Sequence, residues 1–172
     1  MILGVMSIST FTTLHVIISL IAVGSGLVVL AGMLGSRRLP GWTALFLVTT
    51  ILTSATGFLF PITGFTPALA TGIVSLIVLA VALMALYRRR LAGRWRWIYV
   101  AAAVAALWLN GFVLVVQAFE KLPLLNPHAP QVGPPFPDPQ NTEFAIAQGV
   151  LLVLLLVLGV VAARKFNPAP TA

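Results

Sequence analysis

Five apolar runs, separated by short polar or proline-bearing stretches, organise the chain: about 11–34, 42–60, 67–87, 97–119 and 143–163. A helix needs about 20 apolar residues to cross a hydrocarbon layer of ~30 Å. Each run therefore predicts one transmembrane helix, and the chain reads as all-α, a single integral membrane domain of five helices over 1–172. Ser9 or Thr10 is the expected cap of the first run, which GSRRLPG closes. The third is expected to start with Thr66 as cap and Pro67 at the first helical position, where proline is favoured.

The stretch TTILTSATGFLFPITGFTPALATG, residues 49–72, decides the count. It holds seven threonines, three glycines and two prolines but no charge, so it reads either as one hydroxyl-rich span or as a hairpin tip. Pro61 and Pro67 flank ITGFT, a poor helix and a good tight turn. Irregular backbone exposed to lipid leaves hydrogen-bonding groups unpaired, so this turn belongs at a membrane face. Two spans result, not one.

A second irregular segment, LPLLNPHAPQVGPPFPDPQN at 122–141, carries seven prolines in twenty positions. Such a run favours extended polyproline II over helix. It is the sizeable segment outside the membrane and offers a surface to a membrane or periplasmic protein partner. RRLPG at 37–41 and RRLAG at 89–93 echo each other. The echo reads either as a duplicated hairpin or as two independent solutions to a short turn.

Composition agrees with the pattern. The chain is 60% hydrophobic and 8% charged, with mean hydropathy +1.08, whereas soluble domains carry roughly 25% charged residues. With no cysteine, thiol catalysis and cysteine-ligated metals are excluded. The N-terminal run lacks the basic region of a secretory signal and reads as a retained span, with Met6 a second plausible start.

Net charge +7 invites a nucleic-acid reading, but the placement of the charges gives another answer. Arg37 and Arg38, then Arg88, Arg89, Arg90, Arg94 and Arg96, then Arg164 and Lys165 all fall on one side of an alternating five-span path. The other side holds Lys121 and all three acids, Glu120, Asp138 and Glu143. Short loops rich in Lys and Arg stay cytoplasmic, so the N-terminus is expected outside and the C-terminus inside. Trp42, Tyr87, Trp95, Trp97 and Tyr99 mark the inner interface. No nucleic-acid partner is expected. The cluster Arg88, Arg89, Arg90, Arg94 and Arg96 is expected to meet anionic lipid headgroups of the bilayer.

Polar residues inside spans are costly and often functional. His15, Ser19, Ala22 and Gly26 share one face of the first helix, as Thr49, Thr53 and Thr56 do of the second. Thr71 and Ser75 are four apart in the third. Asn110, Gln117 and Glu120 lie along the fourth, and Gln148 just over a turn into the fifth. Most belong to the outer half, so His15, Thr53, Thr56, Asn110, Gln117, Glu120 and Gln148 are candidates for a ligand-binding vestibule open to that side. The competing reading is packing, since small and hydroxyl residues are the usual material of helix contacts in lipid.

No acid or base sits deep in a span, which counts against ion-coupled pumping. No P-loop, GxSxG or HExxH pattern is present, and no catalytic residue is assigned. His15, His128, Glu120, Asp138 and Glu143 supply a metal-ligand inventory without a supporting spacing, so neither metal nor cofactor is expected.

RRLPGWTALFL at 37–47, LTSATGFLFP at 52–61 and LAGRWRWIYV at 91–100 resemble a group of small multi-pass bacterial membrane proteins with no established activity. The resemblance covers most of the chain apart from the proline-rich loop. It implies a bacterial inner membrane and carries over no functional residue. The expected function is binding of a protein partner or a small hydrophobic ligand. The alternative is a redox or carrier component with a quinone, haem or substrate site near His15 and Asn110.

Overall fold

A computed structural model describes residues 7–60, 67–122, 124–125 and 142–168. The ITGFT turn, the cap position 66 and most of the proline-rich run, His128 and Asp138 included, lie outside the described residues. The described chain is all-α: α1 Ile8–Leu34, α2 Pro40–Gly57, α3 Pro67–Leu83, α4 Trp95–Lys121 and α5 Thr142–Lys165. Four helical segments are long and apolar enough to cross a membrane: Ile8–Leu34, Leu69–Arg88, Trp95–Glu120 and Thr142–Lys165. α2 is not among them. It has 18 residues and carries Thr43, Thr49, Thr50, Thr53, Ser54 and Thr56.

α1 begins earlier than Ser9 or Thr10 as cap would allow. A cap needs non-helical backbone, and Ser7 has it, with φ −66° and ψ 153° and its Oγ accepting from the Thr10 N–H at 3.1 Å. Ser9 and Thr10 are already helical, and the hydroxyls of Thr12 and Thr13 donate to the carbonyls of Ile8 and Ser9. α2 opens with Pro40 at its first position, where a missing N–H costs nothing. It ends at Gly57 rather than at the expected Phe60, because the amides of Phe58 and Leu59 turn back to the carbonyls of Ala55 and Thr56. That tighter winding closes the helix ahead of Pro61.

α3 does not stop cleanly either. Met84–Arg88 form one turn of π-helix, closed by the Arg89 N–H donating to the Met84 carbonyl at 2.9 Å. The chain then turns through Arg90 (φ 48°), Leu91 (φ 60°) and Gly93 (φ 52°) before α4. Left-handed backbone costs a non-glycine residue roughly 1–2 kcal/mol. The burial of Leu91, together with its N–H donating to the Ala85 carbonyl at 3.0 Å, holds the turn in place.

α4 is the central element, packed on α1, α3 and α5, while α1 and α2 form the most extensive helix pair. Lipid offers no hydrophobic drive for helices to associate, so close van der Waals packing of small residues carries the contact. The buried alanines 102, 103 and 106 of α4 and Ala82 and Ala85 of the α3 segment serve that approach. At Gly26 the approach is closest: a Cβ there would stand 2.7 Å from Leu107 Cδ1 and 2.8 Å from Phe46 Cε2. α5 is the peripheral helix, with 6% of its most apolar window buried.

Candidate functional site: an arginine-lined cavity

The α1 and α2 faces read from the sequence meet each other. His15 Nδ1 lies 2.8 Å from Thr56 Oγ1. The Thr56 hydroxyl also donates to the Leu52 carbonyl of its own helix at 2.6 Å. The His15 ring also stands edge-on to Phe60, with centroids 5.3 Å apart. One turn deeper, Ser19 Oγ donates to the His15 carbonyl at 2.8 Å and lies 3.4 Å from Thr53 Oγ1. Thr49 donates to the Leu45 carbonyl, and Ser54 to Ser75 Oγ of α3 at 3.0 Å. Most of these hydroxyls are satisfied by their own helix, which lets the backbones approach without stranding a polar group.

The remaining candidates are placed separately. Asn110 donates through Nδ2 to Thr50 Oγ1 at 3.1 Å, joining α4 to α2. Its contact Thr50 and the His15 contact Thr56 are six residues apart, about 9 Å along α2. The two residues expected at one redox or carrier site thus engage different levels of the bundle. Gln148 Nε2 donates to the Phe112 carbonyl at 3.1 Å and ties α5 to α4. Gln117 is half-buried, and Glu120 is exposed in the last turn of α4. Neither the cavity at the arginine-bearing end nor the groove between α4 and α5 is lined by any of the seven vestibule candidates. Among the described residues, no group of three or more His, Asp or Glu side chains is placed to hold a metal.

A cavity of about 610 Å³ lies instead at the arginine-bearing end. Three segments far apart in sequence build it. The α1–α2 loop supplies Arg38, the turn before α4 supplies Arg90 and Arg94, the start of α4 supplies Arg96 and Trp97, and the chain after α5 supplies Asn167 and Pro168. Phe166, buried beside Tyr99 with centroids 6.2 Å apart, anchors that last segment. The Asn167 N–H donates to Ser36 Oγ at 2.8 Å, and Arg96 donates to Asn167 Oδ1.

Of the five arginines read as headgroup contacts, Arg90, Arg94 and Arg96 line the cavity. Arg88 is exposed in the π turn, and Arg89 stacks 4.9 Å over the Trp95 ring. Arg38, Ser36 and Asn167 were not legible as site residues; no periodicity links positions 36, 96 and 167.

The electrostatics are one-sided. Glu120 and Glu143, the acidic side chains among the described residues, stand at the far ends of α4 and α5. From Arg96 to Glu120 the helix rises about 36 Å, which keeps that carboxylate far from the cavity. The Nε atoms of Arg38 and Arg96 are buried and make no hydrogen bond among the described residues. A guanidinium has five donors and no acceptor, and matches the oxygens of phosphate or carboxylate in pairs. The arrangement suits an anion from outside the chain.

No protein-family model matches this chain, and neither a curated protein nor a solved structure does.

Proposed function

We propose that the chain is a five-span protein of the bacterial cytoplasmic membrane that acts by binding, and that its site is the arginine-lined cavity, which takes a phosphate-bearing anion. The observation that carries this reading is the convergence of Arg38, Arg90, Arg94 and Arg96 on one cavity that no carboxylate side chain among the described residues lines. The volume of about 610 Å³ falls within the ~300–1,000 Å³ of ligand pockets.

The positive-inside bias supports an outside N-terminus and a cytoplasmic C-terminus. The cavity then opens where anionic headgroups and soluble phosphates are both at hand. For the fifth span, 18 residues of α2 rise about 27 Å, close to the hydrocarbon thickness. Its hydroxyls turn to helix carbonyls and to α1, α3 and α4, so lipid meets mainly its apolar side.

The test is thermal stability of detergent-purified protein titrated with inorganic phosphate, against chloride at matched ionic strength. Phosphate should stabilise the wild type beyond chloride, and Arg38→Gln with Arg96→Gln should remove the difference. Equal responses of wild type and variant would discard this site.

A further inference from the structure

We propose that the arginine cavity is the headgroup half of a site for an anionic glycerophospholipid, whose acyl chain lies in an apolar groove between α4 and α5. This rests on the anion-binding reading above and names its ligand. The groove has a volume of about 400 Å³ and runs between Trp97, Ala101 and Val104 of α4 and Leu155, Gly159 and Ala163 of α5.

Trp97 lines both the cavity and the groove, so the two adjoin at that residue. A tryptophan prefers the level where headgroups give way to acyl chains. On the cavity side of Trp97 the lining is cationic; on the other it is almost wholly apolar. That order, a cationic lining, then Trp97, then an apolar lining, matches the headgroup and acyl chain of a phospholipid.

The groove owes its depth to small residues. Ala101, Gly159 and Ala163 withhold side-chain bulk where neighbours on the same helices carry it. A Cβ at Gly159 would stand 3.0 Å from Val104 Cγ1, so α4 and α5 nearly touch at the groove floor. From position 97 to 104 on α4, and 155 to 163 on α5, the groove extends about 10–12 Å. It faces the outside of the bundle, with Trp97, Leu156 and Val160 exposed, and outside a membrane-spanning bundle the solvent is lipid. Charge complementarity and this adjacency select an anionic phospholipid over a second copy of the chain, which would bring the same arginines against each other.

Native mass spectrometry of delipidated protein, offered dioleoyl phosphatidylglycerol or dioleoyl phosphatidylcholine, tests the proposal. Wild type should retain the anionic lipid about tenfold better, equivalent to about 1.4 kcal/mol. Ala101→Phe and, independently, Val160→Trp fill the groove from exposed positions on different helices. Each should lose most of that retention while keeping the stabilisation by inorganic phosphate, which also shows that the variant is folded with its arginines in place. If both groove variants retain phosphatidylglycerol as wild type does, the acyl-chain assignment is overturned and the anion site stands as a soluble-phosphate or headgroup-only site. If wild type prefers neither phosphate over chloride nor the anionic lipid, the anion reading itself fails.

Discussion

The backbone N–H of Asn167 donates to Oγ of Ser36 at 2.8 Å, which fastens the chain beyond α5 to the loop between α1 and α2. Arg96 donates to Oδ1 of the same asparagine, so one residue holds two walls of the cavity together. Ser36 makes this contact from left-handed backbone, with φ 53°.

That strain separates two variants. Ser36→Ala loses the acceptor and keeps the unfavourable φ, whereas Ser36→Gly loses the acceptor and relieves it. Both should speed hydrogen exchange at the Asn167 amide, the local opening that the bond restrains. In thermal unfolding, the glycine variant should be the more stable of the two by roughly 1 kcal/mol. Equal stability would place no strain at position 36.

The packing of α1 on its neighbours gives a second outcome. Gly26→Ala places a methyl 2.7 Å from Leu107 Cδ1 and 2.8 Å from Phe46 Cε2. Both neighbours are buried, so each can give way only into the core. Overpacking of this kind costs about 1–3 kcal/mol. The loss should appear as a lower unfolding midpoint in detergent. Gly24→Ala, with no heavy atom within 4 Å of its added carbon, is the control and should gain slightly from better helix propensity.

These contacts show what could be read in advance. His15, Ser19 and Gly26 repeat at helical spacing, and so do Thr49, Thr53 and Thr56; periodicity alone placed them on two faces. Which faces would meet was not in the periodicity, yet His15 finds Thr56 and Ser19 approaches Thr53. The cavity was harder. Ser36 and Asn167 are 131 positions apart, and a loop-to-loop contact leaves no repeat. Arg90 and Leu91 take left-handed backbone beside a glycine to which a reader would have given all of it. The π turn at Met84–Arg88 has no compositional mark at all.

Between α2 and α4, the bond from Asn110 Nδ2 to Thr50 Oγ1 should be measurable as a coupling. Thr50 is fully buried and Asn110 half-buried, so water does not compete strongly for the pair. A cycle of Thr50→Val, Asn110→Ala and the double variant isolates the pairwise part. Interhelical bonds within membranes average about 0.6 kcal/mol and reach about 1.7. Additive single effects would mean that each group is satisfied elsewhere.

Whether α2 crosses the membrane sets the parity of the whole chain. With four crossing helices the two ends share one side; with five they are opposite. Nine of the ten basic residues, in three segments, sit on one side only if α2 crosses. The cavity agrees in geometry, because Arg38, Arg96 and Asn167 meet at one end of the bundle. That meeting requires α1 and α2 to run as an antiparallel pair along the bundle axis. A fluorescent reporter active only in the cytoplasm, fused after Ala172, should therefore be bright. A phosphatase active only in the periplasm should work both when fused near Gln131 and when its fusion junction lies before α1. A bright C-terminal fusion with an inactive N-terminal one would put both ends in the cytoplasm, remove α2 from the spans and leave Arg37 and Arg38 on the opposite face from Arg96.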